Sequence, residues 1–263
     1  MWIDSFLDYL RFERNYSERT IESYGMDLVQ FREFARGRGI FLFGDVKTTD
    51  IREWIIRLMD EGKAPAYVNR KLSALRSFSK YLLKTKHITV DPMLKITGPK
   101  RAKTLPTFVR EADMNRLLDD EQGWEDTWEG RRDKLIIAMF YATGMRLSEL
   151  LELNDRDIDF GNAQIRVTGK RNKQRLIPFH RELEQIMRDY MAYRNSELGE
   201  KRLSADSNTP FFVNTLDRRL PKTQVYNIVK QNLSKVVTLK KRSPHVLRHT
   251  FATTMLNNDA ELE

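Results

Sequence analysis

The chain has 263 residues, 40% of them hydrophobic, enough for one large core or two ordinary ones, which excludes a short peptide module or a disordered tail. It contains no cysteine, which removes disulfides, thiolate nucleophiles and Cys-ligated metal centres, and its four histidines leave little for a His-rich metal site. Lys and Arg number 46 against 37 Asp and Glu, a net charge of +9 that favours a polyanionic partner without identifying one.

No stretch reaches eighteen consecutive apolar residues, and Met1-Trp2-Ile3-Asp4 opens the chain without the basic segment and apolar run of a secretory signal. A soluble cytoplasmic protein with no membrane partner is expected. The first 97 residues read as an all-helical unit. Phe6, Leu7, Tyr9 and Leu10 mark a short helix, and Ile21, Tyr24, Leu28, Phe31 and Phe34 recur at threes and fours to predict a longer one with Ser17 as its N-cap. A third helix, from about Thr49 to Met59, gathers Ile51, Trp54, Ile55 and Leu58 on one face and stops before Gly62. The fourth, Pro65 to Lys84, begins with a proline where no intrahelical N–H is needed and buries Val68, Leu72, Leu75, Phe78 and Leu82. Arg70, Lys71, Arg76, Lys80 and Lys84 cover much of the remainder, either as a duplex-facing surface or as a solubilising one.

Periodicity is lost after Asp91-Pro92, and Gly98-Pro99-Lys100-Arg101-Ala102-Lys103 leads to Leu105-Pro106, a basic linker. The expected organisation is a helical domain over 1–97, a linker over 98–106 and a second domain over 107–263. Within that domain Arg110 to Asp119 predicts a helix, and Trp124 and Trp128 read as packing anchors in the loop that follows. The run RRDKLIIAMFY from Arg131 to Tyr141 predicts a buried helix, and MRLSELLEL resumes helical spacing after Thr143-Gly144. Gly144 permits a sharp change of direction that presents Arg146 at a helix start, with Glu149 three residues on and roughly on the same face. Standing alone, the two would be an ordinary surface ion pair.

Residues 157–178 switch to a period of two, and Ile158, Phe160, Ile165, Val167 and Leu176-Ile177 predict a small antiparallel meander. Its second connection, Thr168-Gly169-Lys170-Arg171-Asn172-Lys173, is strongly cationic. Lys170 would sit at the hairpin tip on a flexible stem able to follow and protonate a leaving oxygen; the alternative is a basic turn kept soluble by charge. Helices resume over Arg181 to Arg194 and Lys222 to Val236. From Arg218 through Asn258 nine basic side chains occur and no acidic one, which suggests an anion-binding surface against the alternative of a solvated face. Ser243-Pro244 then starts a helix on which His245 and Arg248 share a face. His249 follows His245 by four, but the H-E-x-x-H arrangement and an evident third ligand are lacking, so no metal is expected.

The blocks ATGMRLSELLEL, TGKRNKQRLIPF and HVLRHTFAT, in that order behind a basic helical domain, resemble the tyrosine recombinase or phage integrase family, especially its Xer-like members. The resemblance covers essentially the whole chain. It implies a mainly α fold: an N-terminal helical core-binding domain, then a mixed α/β catalytic domain with a small antiparallel sheet, the two gripping duplex DNA from opposite sides. It also implies site-specific strand cleavage and rejoining through a 3′-phosphotyrosyl intermediate, with no cofactor and no metal. The family's motif residues match Arg146, Glu149, Lys170, His245 and Arg248 as the catalytic set.

In those roles Arg146 and Arg248 present fixed donors to nonbridging phosphate oxygens, and His245 adds a hydrogen bond or proton transfer. Glu149 orients Arg146, and Lys170 serves as general acid for the 5′ oxygen. Candidate DNA contacts are Arg70, Lys71, Arg76, Lys80, Arg171, Lys173, Lys222, Lys230, Lys235, Lys240, Lys241 and Arg242. The family's later Gly-His-like block and its nucleophilic tyrosine have no match before Glu263. The expectation is therefore of a C-terminally shortened chain that binds duplex DNA without cutting it and is largely monomeric in solution, its full-length parent assembling with further recombinase subunits on DNA. Three other functions stand beside this one: a noncatalytic DNA-binding regulator or architectural protein, a type IB topoisomerase and a basic metabolic enzyme.

Overall fold

The computed structural model describes residues 2–100, 107–169, 173–199 and 209–257. The chain divides into two compact units, Met1–Thr104 and Leu105–Glu263. Residues 101–106 of the predicted linker lie outside the described residues.

The first unit is helical. Helix α1 (Trp2–Asp8) runs into a π-helical turn (Tyr9–Glu13), and α2 (Glu18–Arg36), α3 (Thr48–Asp60) and α4 (Pro65–Lys84) follow. Ser17 caps α2 by accepting from the Thr20 N–H. The stripe predicted on α2 turns Ile21, Leu28 and Phe31 inward, where they meet Ile51 and Trp54 of α3 and Val68, Leu72, Leu75, Phe78 and Leu82 of α4. Phe31 and Trp54 meet edge to face with ring centroids 5.0 Å apart.

A charged pair lies inside this apolar set. Asp27, on the buried side of α2, accepts from both terminal nitrogens of Arg70 at 2.6 and 2.9 Å and from Lys71 Nζ at 2.8 Å. Lys71 is as buried as Asp27, and its ammonium lies 4.5 Å from the centre of the Tyr67 ring. A buried ion pair gives little net stability but costs several kcal/mol, roughly 3 to 5, when one partner alone is removed, so it ties the register of α2 to that of α4.

The second unit is built around helix α6 (Trp128–Thr143), which packs against α8 (Arg181–Leu198) and α10 (Pro244–Asn257). Leu135, Ile136, Ile137, Met139 and Phe140 are buried around its circumference, as a central helix requires. The helix starts three residues ahead of the predicted Arg131 because Thr127 caps it, accepting from the Gly130 N–H at 3.1 Å. Helix α5 (Glu111–Asp119) lies against α9 (Lys222–Val236), and Trp124 donates its indole N–H to the Leu117 carbonyl at 3.0 Å as one packing anchor of that side.

The meander forms a three-stranded antiparallel sheet, β1 (Ile158–Asp159), β2 (Gln164–Thr168) and β3 (Gln174–Pro178), paired in the order 1-2-3. Ile165 stands opposite Ile177, both buried, and Val167 opposite Arg175, which sets Arg175 on the side of the sheet that the buried residues share. Short helix α7 (Leu147–Glu152) packs on β2 and completes the frame around the site.

Candidate functional site

Helix α6 ends at Gly144, whose φ of 56° places it in the left-handed region. A side chain is disfavoured there twice: by that φ, and because a Cβ would fall 2.2 Å from the Phe251 ring of α10. Helix α7 begins two residues later with Arg146 as its N-cap. Glu149, at the third position of the helix, turns its carboxylate back to accept from the Arg146 N–H at 2.7 Å and from Arg146 Nη1 at 2.8 Å. The acidic residue is thus both a helix cap and the partner of a half-exposed guanidinium.

Two more arginines reach this point from other elements. Arg175 of β3 donates from its two terminal nitrogens to the two oxygens of Glu149, at 2.6 and 2.9 Å. Arg248 of α10 donates to the carbonyl of Gly144, two residues ahead of Arg146. Burial of Glu149 would raise its pKa, but hydrogen bonds from Arg175 and from the Arg146 backbone and side chain outweigh burial and bring it to about 2. Arg248 is held below its ordinary value by burial and by the Arg146 charge beside it. The two arginines separated by 102 positions in the sequence therefore share one site, and each keeps guanidinium N–H groups that these bonds do not use.

His245 stands one turn before Arg248 on α10, its Nε2 3.0 Å from Nε2 of His249. Burial, then the neighbouring His249 and Arg248, lower its pKa below the ordinary imidazole value, so near neutral pH it is chiefly uncharged and can donate or accept. The end of the β2–β3 hairpin comes to the same place: a Cβ on Gly169 would lie 3.4 Å from Glu149 Oε1 and 3.9 Å from Arg146 Nη1. Gly169 donates its N–H to the Lys173 carbonyl at 2.7 Å and closes the base of the connection. Lys170 and Arg171, the predicted general acid and its neighbour, lie outside the described residues.

Arg175 is the member of this cluster that the sequence reading missed. It looks like one more charge in a cationic hairpin, yet counting back by two from buried Ile177 lands on it, on the side of the strand that Ile177 shares.

The proposed DNA contacts divide. Lys71 is a correction: nine residues at roughly 100° each put it on the opposite side of α4 from Lys80, and it is buried against Asp27 rather than turned to solvent. Arg70 is half-exposed but forked onto Asp27, and Arg76 donates to the Ile96 carbonyl at 2.9 Å. Lys80, Lys173, Lys222, Lys230, Lys240 and Lys241 are exposed, and Arg242 is half-buried. Lys235 is exposed too, but donates to the Gly123 carbonyl at 2.8 Å. In the acid-free segment Arg219 also turns inward, onto the Leu153 carbonyl at 3.0 Å and Asn154 Oδ1 at 2.7 Å, so the basic run is not a single surface. Among the described residues no three His, Asp or Glu side chains are grouped to hold a metal ion, and no helix is long and apolar enough to cross a membrane.

Residues 107–263 match the model of the phage integrase family, and residues 3–86 match that of the phage integrase N-terminal SAM-like domain. The tyrosine recombinase XerC of Pelotomaculum thermopropionicum is 34% identical over 99% of this chain and 86% of its own length. The tyrosine recombinase XerD of Oceanobacillus iheyensis is 32% identical over 99% and 86%. The fold is shared with the XerH site-specific recombinase bound to difH, with a TM-score of 0.75 at 21% identity over 94% of this chain and 72% of that one. It is shared equally with the Tn1549 transposon integrase bound to transposon end DNA, with a TM-score of 0.76 at 19% identity over 99% and 88%. Two domain models matched in order, and relatives a third identical along nearly the whole chain, make it a member of the phage integrase family, the Xer-like tyrosine recombinases.

Proposed function

We propose that residues 1–263 bind duplex DNA and seat one backbone phosphate between Arg146 and Arg248, as the strand-exchanging members of the family do, without breaking the strand. The observation that carries this reading is the Gly144 turn, which draws Arg248 of α10 onto the residue pair that precedes Arg146. Guanidinium donors fixed before the substrate arrives stabilise charge on nonbridging oxygens as a phosphorane develops, and each such donor is worth roughly 3 to 4 kcal/mol in the transition state. His245, uncharged at neutral pH, supplies a hydrogen bond or proton relay at the same phosphate. Lys170 is assigned as general acid to the 5′ oxygen, with Glu149 orienting Arg146.

The family's reaction needs a tyrosine oxygen to attack phosphorus, forming a 3′-phosphotyrosyl bond while the 5′ oxygen leaves with a proton; the reverse attack reseals the strand without an external energy source. On this reading none of the tyrosines in residues 1–263 is that nucleophile. In the second unit Tyr190 is buried and donates to the Phe211 carbonyl at 3.0 Å, Tyr193 lies under Arg131, Tyr226 beside Lys222, and Tyr141 is half-buried on α6 with its hydroxyl pKa raised by that burial. These surroundings support binding without covalent capture. A binding site selected from a random duplex pool, nicked near its centre and incubated with the protein, should be retained in a native gel and leave no protein-DNA band after denaturing electrophoresis. A covalent band would refute the assignment, and failure to retain any duplex would remove DNA as the partner.

A further inference from the structure

Strand β3 carries a guanidinium where its pattern calls for an apolar side chain. Ile177 faces the core opposite buried Ile165, and two residues back the same face belongs to Arg175 opposite buried Val167. The position is filled by charge because Glu149 is there to receive it: a side chain 40% exposed grips a carboxylate that is wholly out of solvent. The carboxylate oxygen that takes Arg175 Nη1 also takes Arg146 Nη1, and Gly169 at the end of the hairpin lies against it.

Two physical consequences meet at this carboxylate. Were Arg146 its sole partner, a buried Glu149 would bind that guanidinium one to one and compete with any phosphate for it. With Arg175 on its other edge Glu149 is already compensated, and its two guanidiniums together with Arg248, which donates to Gly144 beside them, leave two positive charges against the one carboxylate, the complement of a doubly negative phosphorane. The same fork ties β3, and with it the base of the β2–β3 connection, to the first turn of α7. We propose that Arg175 is a positioning residue of the phosphate site: by occupying Glu149 from strand β3 it leaves Arg146 free for a nonbridging phosphate oxygen and holds the hairpin end beside it. The assignment rests on the phosphate-site reading above and extends it to a residue outside the catalytic set that the resemblance implies.

The test follows arginine side-chain N–H resonances of the 15N-labelled protein during titration with inorganic phosphate. In the unsubstituted protein Arg146 and Arg248 should shift with a common affinity, while Arg175, engaged with Glu149, should not. Arg175→Gln should weaken phosphate binding on the order of tenfold and silence Arg146, which Glu149 then captures. Adding Glu149→Gln should restore the Arg146 response, because glutamine keeps an acceptor for the helix cap but not the competing charge. Arg175→Lys, which keeps the charge without the fork, should fall between. A merely structural Arg175 would change stability, which Glu149→Gln would also restore, but would leave the Arg146 response in the folded Arg175→Gln protein intact. Arg175→Gln that binds phosphate as tightly as the unsubstituted protein, with Arg146 still responding, would overturn the proposal, as would a folded double variant in which Arg146 stays silent. Should Arg175→Gln alone not fold, the double variant and Arg175→Lys decide by the same readout. Failure of Arg146 and Arg248 to respond in the unsubstituted protein is a separate outcome that removes the phosphate site itself and this assignment with it.

Discussion

At Glu149 a single carboxylate serves three structural purposes: it caps α7, pairs Arg146 and anchors Arg175. Its pKa of about 2, against an ordinary 4.5, means that folding binds the ionised form preferentially and gains roughly 3 kcal/mol from it. Because the folded value is the depressed one, that stability is fully present above about pH 5 and is lost as pH falls from about 4.5 towards 2. Glu149→Gln should therefore lower the stability found by urea unfolding at neutral pH, and the gap to the unsubstituted protein should close on acidification through that window. A gap independent of pH would show that the carboxylate charge is not what the site uses. Residue identity told part of this beforehand, since Arg146 and Glu149 stand at capping distance in the sequence. Arg175 stands 26 positions away on a strand, and only the register of β3 brings it to the same oxygens.

Among the elements, the joint of α6, α7 and α10 does the most for the site. Gly144 supplies a left-handed residue, Phe251 packs its ring into the space a Cβ would fill, and Arg248 closes the turn from α10. Gly144→Ala should cost on the order of 2 to 4 kcal/mol, from left-handed backbone strain and the clash with the ring. Adding Phe251→Ala should relieve the clash and leave the strain, so the double variant should be less than additively destabilised in chemical denaturation. A Gly144→Ala protein within about 0.5 kcal/mol of the unsubstituted one would dismiss the joint as a constraint. Helix spacing announced the elements on either side, and Gly144 announced a turn between them. That the turn is locked by a ring from α10, 107 residues further on, belongs to packing.

At the scale of the whole molecule, the +9 charge is informative only after it is sorted by burial. Lys80 is exposed, while Lys71, nine residues earlier on the same helix, is locked in the Asp27 pair. Duplex affinity should fall steeply between about 50 and 200 mM salt, with a log-log slope of roughly 0.9 per neutralised phosphate. Lys80→Ala should lower that slope by about one contact, while Lys71→Ala should leave it unchanged and destabilise the fold. A slope indifferent to both, or affinity flat in salt, would remove the electrostatic grip. The amino-acid sequence by itself determined the helical elements, the meander, the family and the identities of Arg146, Glu149, His245 and Arg248 as site candidates, because helical and strand periods and short motifs are local and survive without knowledge of neighbours. Only the tertiary structure decided that Arg146 and Arg175 share one buried carboxylate with Arg248 on the turn beside it, and that Lys71 is spent inside a core, because charge becomes functional or structural according to what packs against it, and that depends on contacts between residues far apart in the chain.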